Sequence, residues 1–142
     1  MKIYLASYFE PENHGPGRKI GISPSKPKDL EETKGYECQY RYLFLSPEDI
    51  YWDYHKERRS AQDDKEKLAQ AGKNFEKSYR DRLSDFEQQV RAVSEATGKT
   101  VFEVIELEDG DTLLSWENNG HMTFRSITAE CLRSLGYETQ EE

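Results

Sequence analysis

Glu117, Thr123, Arg125 and Ser126 bracket the end of a strand-like run and the start of a helix-like one. Together they suit the capture of an anion. A helix N-terminus presents N–H groups with no partner inside the helix and carries partial positive charge. Arg125 adds a planar fork that grips phosphate or carboxylate at two points, and Ser126 adds a hydroxyl. A plainer arrangement uses the same residues: Ser126 caps the helix while Arg125 pairs with Glu117 as a structural bridge. The spacing leaves both open.

Other candidates stand at the ends of two earlier strand-like runs. Ser7 and Tyr8 close the first and Ser23 closes the second, so parallel pairing of these strands would add their hydroxyls to one crevice. Each serine is equally suited to forming a turn. Gly15-Pro-Gly-Arg18 looks superficially like a phosphate loop but has neither Walker nor dinucleotide spacing. The three histidines, His14, His55 and His121, offer no pair at metal-ligand spacing, so neither a metal nor a cofactor is expected. Of these, His121 is placed nearest the Arg125 group, as an acid or base or simply as an exposed turn residue.

The elements that must position these residues follow from periodicity. Lys2 to Tyr8 is apolar on both alternating sets, which predicts a strand covered on both faces and hence a parallel sheet. Phe9 to Gly17, with two prolines and two glycines, is a loop, and Lys19 to Ser23 is a second short strand. Ser46-Pro-Glu-Asp49 is a helix start, and a helix is expected from Pro47 to about Glu57. Ser60 to Ala71 is polar and helix-permissive, interrupted by Gly72. From Asn74 the spacing of Phe75, Tyr79, Leu83, Phe86, Val90 and Val93 builds one apolar helical face that ends at Gly98. Thr100 to Glu103 fits a capping box and opens either a short helix or a strand over Val101 to Leu107. After a turn at Asp109-Gly110 come a strand from Thr112 to Trp116 and a helix capped by Ser126 or Thr128. That helix turns Ile127, Cys131, Leu132 and Leu135 inward, and residues from Glu138 onward read as a frayed tail. Strands alternating with helices give one α/β domain: a small, largely parallel sheet with helices packed on it.

Composition narrows the function classes. The chain has 142 residues, 35% hydrophobic and 34% charged, so nine tyrosines and six phenylalanines must supply much of the core. The cluster of Tyr36, Tyr40, Tyr42, Phe44, Tyr51, Trp52 and Tyr54 is read mainly as core and otherwise as a stacking surface. With 28 acids against 20 bases, the net charge of -8 opposes attraction to phosphate backbones and disfavours nucleic acid as a partner. Lys56, Arg58 and Arg59 read as a solvated face. Without an apolar run of ~20 residues or a leader before the first strand, a cytoplasmic protein with no membrane span is expected. Cys38 and Cys131 are far apart and lack a C-x-x-C partner, so both should stay reduced, Cys131 as a core residue.

Ile3-Tyr-Leu-Ala-Ser-Tyr-Phe9, a Gly-containing loop and Ile20-Gly-Ile-Ser23 resemble the opening of the family catalogued as domain of unknown function 488. Leu113-Leu-Ser-Trp-Glu117, a turn, and Arg125 to Leu132 are similar to that family's strand ending in Cys-Tyr-Glu, its Cys-His-Arg triplet and its last helix. The resemblance spans nearly the whole chain and implies a ligand at Arg125. It also implies that thiol or imidazole chemistry is lost, because Ser115 replaces a cysteine and Thr123-Phe124 replace Cys-His. Two functions remain. One is binding of a phosphate-bearing small molecule, such as a nucleotide, with catalysis undecided. The other is a non-catalytic interaction or sequestering protein that meets a partner protein through its acidic surface.

Overall fold

A computed structural model describes residues 1–8, 10–22, 40–41, 45, 48–115 and 124–141. The first strand, β1 (Lys2–Ser7), is central and parallel as its two-sided apolar pattern requires. With β2 (Lys19–Gly21), β3 (Tyr40–Arg41), β4 (Thr112–Ser115) and β5 (Glu138–Glu141) it forms a parallel sheet in the order β3-β2-β4-β1-β5. Register places Leu5 beside Leu113 and Ser7 beside Ser115, while Ile20 lies on the other side of Leu113. Alternation therefore sends Ile3, Leu5, Ser7, Leu113, Ser115 and Ile20 to one face. Their apolar members join the main core with the helices. The opposite face holds a smaller cluster of Ala6, Tyr8 and Leu114.

The loop between β1 and β2, with a 3-10 turn at Pro11–Asn13, lies against that second face. The Gly15 N–H donates to Thr112 Oγ1 over 2.7 Å. A Cβ at Gly15 would lie 2.3 Å from the Tyr4 ring, so only glycine allows the approach. Gly17 N–H donates to the Gly110 carbonyl, and Arg18 clamps Asp111. The Gly15-Pro-Gly-Arg18 segment thus spends its donors within the fold and makes no phosphate cradle.

Two helices form an antiparallel hairpin. The first, α1 (Glu48–Ala61), turns Ile50, Tyr54 and Ala61 toward its partner. The second, α2 (Lys65–Thr97), runs unbroken for 33 residues, about 50 Å. Asp64 caps it by accepting from the N–H groups of Glu66 and Lys67, and Gly98 ends it in the left-handed conformation. Gly72, expected to interrupt this region, lies inside α2. Its intrinsic cost of about 1 kcal/mol is outweighed by packing of Ala71 and Phe75 against α1. Five of the six predicted inward residues are buried, Phe75, Tyr79, Leu83, Phe86 and Val90, but Val93 is 45% exposed because α2 has by then run past the core it covers. Ser46 and Pro47 lie outside the described residues.

The short α3 (Val101–Ile105) carries both hydrogen bonds of the capping box, which decides for helix over strand. The last helix, α4 (Phe124–Ser134), buries Ile127, Cys131 and Leu132, with Leu135 just beyond. It ends in a Schellman arrangement, Tyr137 N–H to Leu132 O and Gly136 N–H to Arg133 O, with Gly136 at φ 104°. Neither Ser126 nor Thr128 is its cap, since the helix begins at Phe124 and both lie inside it. The expected tail from Glu138 is instead β5. Its side chains are largely exposed and its order comes from backbone pairing with β1 and from Arg133, which donates to Thr139 Oγ1 over 2.8 Å. Among the described residues no helix is long and apolar enough to cross a membrane.

Candidate functional site

In a parallel sheet the carboxyl ends of all strands lie on one edge. The chain leaves β2 toward β3 on one side and leaves β4 toward β5 on the other, so the β2/β4 boundary is a topological switch point. Crevices at such points are where open α/β sheets bind ligands. One strand over from that boundary, on the other side of β4, β1 ends at Ser7 beside Ser115 at the end of β4, and the Tyr8 N–H donates to the Ser115 carbonyl over 3.0 Å. Both serine side chains are fully buried on the helix-covered face. Ser115 Oγ has no hydrogen-bond partner among the described residues.

The N-terminus of α4 reaches this edge. Its far end turns into β5 beside Lys2, and Ser126 Oγ donates to Glu141, level with Leu5. Arg125, Thr128, Ala129 and Leu132 recur at helical spacing and are all buried, so Arg125 occupies the inward stripe where an apolar residue would be ordinary. It is only 4% exposed. One turn below, Thr128 is hydrogen-bonded to the hydroxyl of Tyr79, which donates to the Leu45 carbonyl. Serine, threonine, tyrosine and arginine side chains therefore interrupt an otherwise apolar core near the carboxyl ends of β1 and β4.

Of the sequence-predicted site residues, Ser7 and Arg125 are buried on the helix-covered side, whereas Tyr8, expected in the same crevice, is buried on the opposite face with Ala6 and Leu114 because successive strand residues alternate. Ser126 is exposed and tied to β5. Glu117, Thr123 and Ser23 lie outside the described residues, as do His121 and Cys38. Sequence reasoning missed Ser115 as a site residue, noting it only for a missing thiol, although its place two residues after Leu113 on the same strand face was available. It also passed over His14, whose Nε2 lies 2.9 Å from the Ser7 carbonyl. A carbonyl only accepts, so Nε2 carries the proton and Nδ1 is the lone-pair nitrogen of the neutral ring.

Partial burial holds the His14 pKa below its ordinary 6.5, with the hydrogen bond to Ser7 opposing and Lys19 assisting. His55 on α1 is lowered too, by burial and then by Arg58 and Arg59. As pH falls through 6.5 the unfolded chain takes up these protons before the folded one, so stability rises with pH in that window and is lost as pH drops toward the folded values. Replacing His14 with Gln is expected to flatten part of this loss in denaturant melts taken at descending pH. An unchanged pH slope would show that His14 is not the group responsible.

Cys131 is a free thiol buried between α4 and α2, where burial pushes its pKa up to about 12. It is therefore a packing residue and not a nucleophile. Among the described residues no cluster of His, Cys, Asp or Glu could hold a metal ion.

Fold and site together define a parallel α/β protein with a buried arginine in the first turn of the helix that follows β4. Comparison with family models, curated proteins and solved structures finds no match.

Proposed function

We propose that this chain binds a phosphate-bearing small molecule, such as a nucleotide, at the carboxyl ends of β1 and β4 beneath the N-terminus of α4, within the cytoplasm. The observation that carries this reading is Arg125, buried on the inward stripe in the first turn of an eleven-residue helix. Burial strengthens a guanidinium's pull on an anion, and the helix dipole adds to it. Ser7 and Ser115 supply neighbouring hydroxyls. Kinship with the family catalogued as domain of unknown function 488 belongs to the same proposal, with Ser115, Thr123 and Phe124 marking the departure from cysteine chemistry. Catalysis forms no part of it.

A melting-shift series with nucleotides and inorganic phosphate tests the reading. A true ligand at a hundred times its dissociation constant stabilises by about 2.7 kcal/mol. Arg125→Ala is expected to abolish that gain and Arg125→Lys to keep part of it, since an ammonium cannot make the two-pronged contact. Circular dichroism of the unliganded variants separates loss of binding from loss of fold. Equal shifts in wild type and Arg125→Ala would place the ligand elsewhere, and no shift with any anion would remove the proposal.

A further inference from the structure

The face of α1 turned away from α2 carries Trp52, His55, Lys56 and Arg59 at helical spacing, flanked by Tyr51 and Arg58. Trp52 is 53% exposed. Its ring lies 5.6 Å from that of Tyr51, edge to face, and 6.0 Å from His55, while Tyr51 and His55 are 4.5 Å apart. These rings hold one another in fixed orientation; Tyr51 and His55 are partly buried, Tyr51 against the main core, and Trp52 is the ring left open.

The basic residues here differ from the other surface arginines. Arg18, Arg80, Arg82, Arg91 and Arg133 each bind a carboxylate. Lys56, Arg58 and Arg59 are exposed with no carboxylate within ion-pair distance among the described residues, and Arg58 rests over the ring of Tyr54. In a chain of net charge -8, Lys56 and Arg59 stand on the face of the exposed tryptophan with Arg58 on its flank, none of them in an ion pair among the described residues, while Asp53 and Glu57 lie on the other flank of the helix. Tryptophan, tyrosine and arginine are also the residues that dominate the energy of protein interfaces.

We propose that this face of α1 docks an acidic segment of a partner protein that carries apolar side chains. Its carboxylates would meet Lys56, Arg58 and Arg59, and an apolar side chain would lie on Trp52. Charge complementarity argues for the occupant. Against a nucleic acid, the remaining acidic surface repels a dense phosphate chain over about 8 Å at physiological salt, whereas a short acidic segment can confine its charge to the patch.

The probe is a fluorescein-labelled peptide of repeating Glu-Glu-Leu, read by anisotropy against the full chain, with a Lys-Lys-Leu peptide and an oligouridylate of equal length as controls. The expected result is binding of the acidic peptide alone, weakening as salt rises. It should fall by about tenfold or more in Trp52→Ala and in the Arg58→Ala, Arg59→Ala double variant. These positions are exposed, so the variants should keep the wild-type circular dichroism and melting. No binding of the acidic peptide, undiminished binding by the variants, or tighter binding of the oligouridylate would each overturn the proposal. The Arg125 site is untouched by these changes, so the two proposals fail independently.

Discussion

Replacing Asp111 with Ala is expected to destabilise the protein by about 2–3 kcal/mol, because a buried carboxylate that satisfies two backbone N–H groups and a partly exposed arginine is lost. Asp111 is 1% exposed at the start of β4. Its Oδ1 accepts from the Arg18 N–H and from Arg18 Nε, at 3.2 and 3.1 Å. Its Oδ2 accepts from Arg18 Nη2 at 2.6 Å and from the Glu108 N–H at 2.8 Å. One carboxylate thus fixes the turn into β4 and the entry into β2, and its loss leaves four donors to find other partners. Arg18 is partly exposed and can turn to water, so the full figure requires the backbone donors to remain buried. Asp111→Asn keeps the shape but turns one acceptor into a donor, and should cost less than Ala. Urea unfolding with an unchanged m-value measures both, and a loss below about 1 kcal/mol for Ala would show that the clamp is dispensable.

The second large effect is at Tyr79, the largest fully buried side chain among the described residues. Its ring stacks on Phe75 at 6.0 Å, and its hydroxyl joins the Leu45 carbonyl to Thr128. Truncation to Ala is expected to cost about 3–5 kcal/mol, from lost transfer energy and the cavity left behind. Tyr79→Phe isolates the polar part. It keeps the ring but removes the donor to the buried Leu45 carbonyl and one of the contacts of the Thr128 hydroxyl, at about 1–3 kcal/mol. A Phe variant as stable as wild type would mean that water or neighbouring groups satisfy both.

How much of this was legible in the sequence depends on where each signal resides. The stripe from Phe75 to Val90 could be read because burial repeats with the helical period, and Val93 misled because periodicity says nothing of where the covered surface stops. The strand β5 was illegible. Glu138, Thr139, Gln140 and Glu141 carry no apolar alternation, and only backbone pairing with β1 orders them. Gly72 misled in the opposite sense, since a local penalty of about 1 kcal/mol cannot show that a neighbouring helix outweighs it. For the site, the place of Arg125 near the start of a helix was readable from its neighbours. Its inward direction required the true start of α4, because treating Ser126 or Thr128 as the cap misses the stripe that Arg125 shares with Thr128, Ala129 and Leu132. His14 was passed over because its link to Ser7 depends on how the glycine-proline loop folds back.

The sheet order also governs the sequence of events by which the protein assembles. Between β1 and β2 lies β4, which follows β1 by more than a hundred positions, and β5 pairs with β1 from still farther along the chain. The early strands β1 and β2 therefore do not pair with each other: β2 has β3 nearby in sequence, but β1 must wait for β4 and β5. The α1–α2 hairpin depends only on neighbouring sequence and can form first. Long-range pairing of this kind slows folding, and it leaves Ile3 and Leu5 without their cover while the rest of a nascent chain is made. A ribosome-bound fragment that stops at Gly110 should consequently hold a helical hairpin and an unpaired, chaperone-accessible first strand, and the addition of β4 is the step that closes the sheet.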